Sequence, residues 1–191
     1  MNLYYLINYV IYLFLDVFRR IPVLRIFKDV SPILKKYKIK LLRQEGMKIG
    51  ENTIIYDCRL GKPQLIEIGN NCVITPNVCI LVHDASYGLF LGKMKWSKVK
   101  ILDNCFIGTN TVILPGVIIG PNCIMGANST VSKDIPPNTI CAGSPAKVIC
   151  SIQEFVDKHK LDIDIFEHPF RVLDQEETSK YNLKIFKFIS K

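Results

Sequence analysis

No two of the seven cysteines form a C-x-x-C pair, their number is odd, and no A-x-A cleavage signature follows the apolar start of the chain. These absences count against a disulfide framework and a clustered metal site, and favour a reducing cytoplasm. Basic charge is also missing from most of the chain. The formal charge is +8, but residues 1–48 hold ten Lys or Arg against Asp16, Asp29 and Glu45, so the other 143 residues carry only about +1. A nucleic-acid groove needs cations spread over the folded body, so nucleic acid is set aside as a partner.

Long apolar runs are lacking too. Residues 3–18 form the only extended one, and it is broken by Asn8 and Asp16. About sixteen positions fall short of the roughly 20 that span a bilayer. Two readings of this segment stay open. Tyr4, Tyr5, Tyr9 and Tyr12 suit the headgroup boundary, and Arg19, Arg20, Arg25, Lys28, Lys35 and Lys36 follow closely, which suggests peripheral contact of residues 3–36 with the cytoplasmic face of the inner membrane. Alternatively the segment caps the open end of a solenoid.

What is present is a repeat. Apolar residues recur every six positions at Ile68, Ile74 and Ile80, then at Ile101, Ile107, Ile113, Ile119, Met125 and Val131, with Ile49 and Ile55 as an earlier pair. A period of six is neither the 3.6 of a helix nor the 2 of a strand, and matches one face of a β-helix coil. Two residues before each anchor stand small or β-branched residues such as Cys72, Cys105, Thr111, Cys123 and Ser129, which suit a narrow pleated interior. Gly69, Gly108, Gly120 and Gly126 follow their anchors directly and are expected to mark tight bends. Three residues after each anchor the column reads Asn71, Asn77, His83, Asn104, Asn110, Gly116, Asn122, Asn128 and Asp134. Asn, Asp and Gly accept a left-handed turn conformation. His83 is out of character.

The repeat slips twice. About seven extra residues lie between Ile55 and Ile68, around Asp57, Arg59, Gly61, Lys62 and Pro63, and about fifteen lie between Ile80 and Ile101. Both are expected to extrude as loops. Three regions result: a helical arm over 1–45, an all-β solenoid over 46–150 with a loop at 84–98, and a C-terminal helix and tail over 151–191. Ser151 and Glu154 form a capping box ahead of a helix through about Lys160.

The runs Ile107-Gly108-Thr109-Asn110, Ile113-Leu114-Pro115-Gly116-Val117, Ser132-Lys133-Asp134-Ile135-Pro136 and Ala142-Gly143-Ser144-Pro145-Ala146-Lys147 resemble the hexapeptide-repeat acyltransferases, and among them the sugar O-acetyltransferases. The likeness covers roughly residues 49–150. It implies a left-handed parallel β-helix, a homotrimer, and acetyl-CoA bound in clefts between neighbouring subunits, with no metal.

Acyl transfer from a thioester needs a base for the acceptor hydroxyl and a donor for the oxyanion. His83 is the only histidine in the repeat, opens the long insertion, and matches the family's catalytic position, so it is the expected base. Asp84 is a candidate for orienting its ring. The resemblance gives Thr109 as the backbone oxyanion donor, Phe106 as an apolar wall beside the thioester, and Ala127 and Ser132 as contacts to the pantetheine arm. Lys133 and Lys147 are expected at the nucleotide phosphates. Asp57 is a candidate for holding the acceptor, and Tyr87 and Trp96 for stacking on a sugar face. Galactoside acetyltransferases use an asparagine in this coil where the chain has Tyr56-Asp57-Cys58, a departure that leaves the identity of the acceptor open. A glycan of a capsule or lipopolysaccharide is the expected acceptor. An amino sugar, serine or an antibiotic remain alternatives, as does a non-catalytic trimeric scaffold. γ-Type carbonic anhydrases share the coil but need three histidines, and this coil has one.

Overall fold

The computed structural model describes residues 3–20 and 31–159. Two helices, α1 (Leu3–Arg20) and α2 (Ser31–Gln44), precede the coil. The chain then visits three parallel sheets in turn. The first coil contributes β1 (Lys48–Ile49), β2 (Ile54–Ile55) and β3 (Arg59–Leu60), and the second β4 (Ile66–Ile68), β5 (Val73–Ile74) and β6 (Cys79–Ile80). A projecting hairpin follows, with β7 (His83–Asp84), helix α3 (Ser86–Leu91) and β8 (Lys95–Trp96). The third coil holds β9 (Val99–Ile101), β10 (Phe106–Ile107) and β11 (Val112–Ile113), and the fourth β12 (Ile118–Ile119), β13 (Ile124–Met125) and β14 (Thr130–Val131). A partial fifth coil carries β15 (Thr139–Ala142), which turns back antiparallel into β16 (Lys147–Ser151) before α4 (Ile152–His159). Face A stacks β1-β4-β9-β12, face B β2-β5-β10-β13-β15-β16, and face C β3-β6-β11-β14.

The six-residue column is the core. Ile55, Ile68, Ile74, Ile80, Ile101, Ile107, Ile113, Ile119, Met125 and Val131 are all buried, and so is the column two residues earlier, including Cys72, Val78, Val99, Cys105, Thr111, Cys123 and Ser129. Two-residue strands suffice because each corner is held by hydrogen bonds to the next coil. At the A–B corner the side-chain amides of Asn52, Asn71, Asn104 and Asn122 each donate to the amide oxygen one coil up, ending on Asn138. All five adopt positive φ, between 54° and 60°. Beside them Thr53, Cys72, Cys105 and Cys123 donate from hydroxyl or thiol to the carbonyls of Gly69, Leu102, Gly120 and Pro136. The interior cysteines are therefore structural donors in a polar ladder.

Three expectations change. The gap after Ile55 is not an extruded loop, because Arg59–Leu60 forms β3, in register with Cys79–Ile80 on face C. Thirteen residues are two face repeats with one to spare, and Leu60 stands in for the anchor one position early, which hid the rung. The glycines after the anchors do not bend the chain through positive φ. Gly116 does so, but Gly69, Gly108, Gly120 and Gly126 do not. They permit close stacking: a Cβ on Gly108 would lie 2.5 Å from the backbone nitrogen of Ala127, and one on Gly120 2.7 Å from that of Pro137. Finally, the coil is capped by α2 rather than α1. Leu41 is buried, and Ile39 and Leu42 pack on the core, with α2 against β1 and β2, while α1 lies on α2.

At the other end the Gly143-Ser144-Pro145-Ala146 segment is the turn between β15 and β16 and contains a cis Ser144–Pro145 bond. The capping box forms as expected. Ser151 N–H donates to Glu154 Oε2 at 2.7 Å and Glu154 N–H to Ser151 Oγ at 3.1 Å. No described helix is long and apolar enough to cross a membrane. The expected tail beyond His159, with His168, and the cations Arg25 and Lys28 lie outside the described residues.

The asparagine ladder is testable at Asn104, which is buried and both donates and accepts within it. Asn104→Gly should lose the two amide bonds and keep the backbone conformation, whereas Asn104→Ala also forces a Cβ residue into positive φ, a further cost of about 1–2 kcal/mol. The Ala variant should therefore melt below the Gly variant in thermal unfolding; equal midpoints would remove the backbone argument.

Candidate functional site

His83 leaves β6 at the C–A corner, the place where Gly116 (φ 91°) turns the next coil. It does not take the left-handed conformation of the asparagine corners. Instead it enters β7, whose pairing with β8 sets His83 opposite Trp96 and Asp84 opposite Lys95. The projecting hairpin thus begins at the histidine and holds its ring against Trp96, with centroids 4.9 Å apart and planes tilted by 35°. Lys62, from the first coil, places its ammonium 4.2 Å over the Trp96 ring. No described residue hydrogen-bonds the half-buried imidazole.

Asp84 does not orient that ring by a hydrogen bond. Its Oδ1 accepts from Ser86 N–H at 2.9 Å and Ser86 Oγ at 2.6 Å, fixing the start of α3. Those bonds, assisted by the positive charge of Lys95 and by His83, hold the Asp84 carboxyl below the usual carboxylate range. Adjacent residues in a strand point to opposite sides, which is why a His-Asp pair in sequence need not be a pair in space. Tyr87 lies in the first turn of α3, with Lys95 Nζ 5.8 Å from its ring centroid, and α3 presents Leu89, Phe90 and Leu91 outward.

The remaining candidates stand elsewhere. Thr109 lies at the B–C corner, with Pro76 one coil below, Asp57 two below and Ala127 one above. Its hydroxyl donates to the Pro76 carbonyl at 2.5 Å, while the backbone N–H groups of Thr109 and Ala127 pair with no described residue. Asp57 is 78% exposed and forms an ion pair with Lys38 at 3.6 Å, and Lys38 also donates to the Tyr56 carbonyl. Neighbouring Cys58 donates to the Thr75 carbonyl, and burial pushes its thiol up to about 11, the property of an inert cysteine rather than a nucleophile. Phe106 points outward from face B, half-exposed, in line with Val73 and Ile124. Ser132 and Lys133 return to the C–A corner two coils beyond His83, about 10 Å along the axis. Lys147 begins β16 at the edge of face B, and neither it nor Lys133 is ion-paired to a described residue.

The candidates therefore fall into two groups. His83, Asp84, Tyr87, Trp96, Ser132 and Lys133 share one corner, while Phe106, Thr109, Ala127, Asp57 and Lys147 border face B. The width of face C separates the two corners by on the order of 15 Å within one chain. In the sequence Lys62 is only one residue of an insertion between Ile55 and Ile68. Its place over Trp96 depends on β3 stacking under β6, which the repeat count did not reveal. Among the described residues no three His, Cys, Asp or Glu side chains converge as metal ligands.

Residues 98–133 match the model of the bacterial transferase hexapeptide (six repeats) family. Protein CapG of Staphylococcus aureus is 36% identical over 160 residues, which cover 74% of this chain and 90% of CapG. Galactoside O-acetyltransferase of Escherichia coli is 44% identical over 97 residues, 49% of this chain, and the chain spans about half the length of that relative, 47%. Among solved structures, galactoside acetyltransferase in complex with coenzyme A aligns with a TM-score of 0.52 and 28% identity, covering 73% of this chain and 78% of that one. Repeat, coil and relatives agree: the chain belongs to the hexapeptide-repeat transferase family.

Proposed function

We propose that this protein is an acetyl-CoA-dependent O-acetyltransferase that acetylates a sugar hydroxyl of a cell-surface glycan in the cytoplasm. The observation that carries this reading is His83, placed at a coil corner where its neighbours are turn residues, with its ring against Trp96 and both nitrogens unclaimed by described residues. A likeness to galactoside O-acetyltransferase, and to a galactoside acetyltransferase structure holding coenzyme A, supports the donor and the acceptor class. The coil is left-handed and three copies assemble. In that trimer the His83 corner of one copy meets the Thr109 corner and face B of the next, so each cleft is complete only between subunits.

The chemistry follows from the groups. Neutral His83 takes the proton of the acceptor hydroxyl as its oxygen attacks the thioester carbonyl. The Thr109 N–H, unpaired among the described residues, stabilises the oxyanion. The C–S bond breaks, and the imidazolium returns its proton to the departing thiolate. Phe106 offers an apolar wall to the thioester, Ala127 and Ser132 allow the pantetheine arm to approach the backbone, and Lys133 and Lys147 face the phosphates. Trp96 and Tyr87 stack on the acceptor, and Asp57 holds one of its hydroxyls. Asp84 acts through Ser86, shaping the hairpin rather than the proton transfer.

His83→Ala should lower turnover by about 10²- to 10⁴-fold with coenzyme A binding retained. Near-normal turnover would remove His83 as the base. Neither His83→Ala nor Ala127→Trp chains should acetylate alone, but mixed oligomers of the two should regain part of the activity, because one cleft in the mixture keeps both corners intact. No recovery would place the site within one chain.

Replacing Lys133 or Lys147 by Ala should raise the KM for acetyl-CoA and leave kcat largely unchanged, the pattern of lost uniform binding. An unchanged KM in both returns these lysines to solvent. Asp84→Asn should keep turnover within about tenfold of the parent, because its contacts are to Ser86; a loss equal to that of His83→Ala would make Asp84 part of the proton-transfer machinery.

A further inference from the structure

Helix α1 is built inside out. Its inner side, toward α2, carries Asn8, which is only 3% exposed, together with half-buried Ile11, Tyr12 and Asp16. Its outer side carries Leu6, Ile7, Val10, Leu13, Phe14 and Val17, with Phe14 65% and Val10 54% exposed. At 3.6 residues per turn these positions fall on one arc, and no charged residue interrupts it between Leu6 and Val17. A soluble surface helix has the opposite arrangement. An exposed apolar strip of this length marks a contact with an apolar partner.

Charge identifies the partner. The first 48 residues carry a net +7; Arg19 and Arg20 end α1 and Lys36 and Lys40 lie along α2, while Lys35, Lys38 and Arg43 are turned to Tyr56, Asp57 and Glu51 of the first coil. Bringing several such arms together would concentrate like charge, whereas an anionic lipid surface neutralises it and receives the apolar strip at the depth of the acyl boundary. The helix runs about 27 Å, long enough to lie in an interface, and it is not apolar enough to cross one. We propose that the outer face of α1 docks the protein on an anionic bilayer, with α2 as the spacer that separates the lipid surface from the base of the coil. This docking is independent of the chemistry proposed at His83.

The test is flotation of the full-length protein with vesicles of phosphatidylglycerol and phosphatidylcholine, alongside Phe14→Glu and Val17→Glu. The intact protein should float with the mixed vesicles and remain behind with phosphatidylcholine alone or in half-molar salt, since exposed charge is screened there. Each variant should bind the vesicles roughly tenfold more weakly or worse, with oligomeric mass and thermal midpoint unchanged. The proposal fails if the intact protein ignores the mixed vesicles or the variants float as well as the parent. It also fails if the variants change the oligomeric mass, which would make a second copy the occupant of the face, or lower the thermal midpoint, which would make another part of this chain the occupant. Acetyl transfer measured on the same samples separates failure of the docking from failure of the enzymatic reading.

Discussion

Coils stacked about 4.8 Å apart can share one continuous interior only if every corner turns within a few residues and leaves no buried backbone group unpaired. The A–B corner meets this constraint with asparagine. Each of Asn52, Asn71, Asn104, Asn122 and Asn138 takes the left-handed conformation, and their amides join in one hydrogen-bonded column. The parallel thiol and hydroxyl column binds the carbonyls that the turns would otherwise leave open. With the corners held, strands of two residues are enough. The anchors then pack isoleucine on isoleucine along the axis, and every outward position is freed for function.

The same constraint explains where function enters. A corner that must turn tightly has no room for a long insertion, so the hairpin emerges where the turn residue is replaced, at His83. The antiparallel pairing of β7 with β8 converts that interruption into a mount that sets Trp96 against the imidazole, and Lys62 from the first coil lies over Trp96. A triangular coil also keeps its corners apart. Within one chain, groups on different corners are therefore held apart by the width of a face.

The two ends of the coil are closed differently. At the start, α2 lays Ile39, Leu41 and Leu42 on the first coil, and α1 rests on α2. At the finish, the β15–β16 hairpin reverses direction, and α4 completes a small separate cluster of Ile140, Ile152 and Val156. The first end is thereby covered by a helix, whereas the last strand, β16, remains a partly exposed edge with Val148 and Ile149 outward.

The repeat by itself determined the coil, its interior columns, the long insertion and the place of His83, because a period of six forces identical environments to recur and exposes any residue that breaks the pattern. It also determined the terminal capping box, a local interaction over three residues. Only the tertiary structure decided the rest. The strand at Arg59–Leu60 escaped notice because its anchor is shifted by one position, and only stacking under Cys79–Ile80 restores the register. The glycines after the anchors looked like bends because sequence does not show the neighbouring coil, whose backbone is what excludes a Cβ. Asp84 turned to Ser86, α2 rather than α1 covered the core, and Lys62 reached Trp96. These are contacts between segments distant in the chain or choices among local partners, and hydropathy and spacing along a single strand of sequence carry neither.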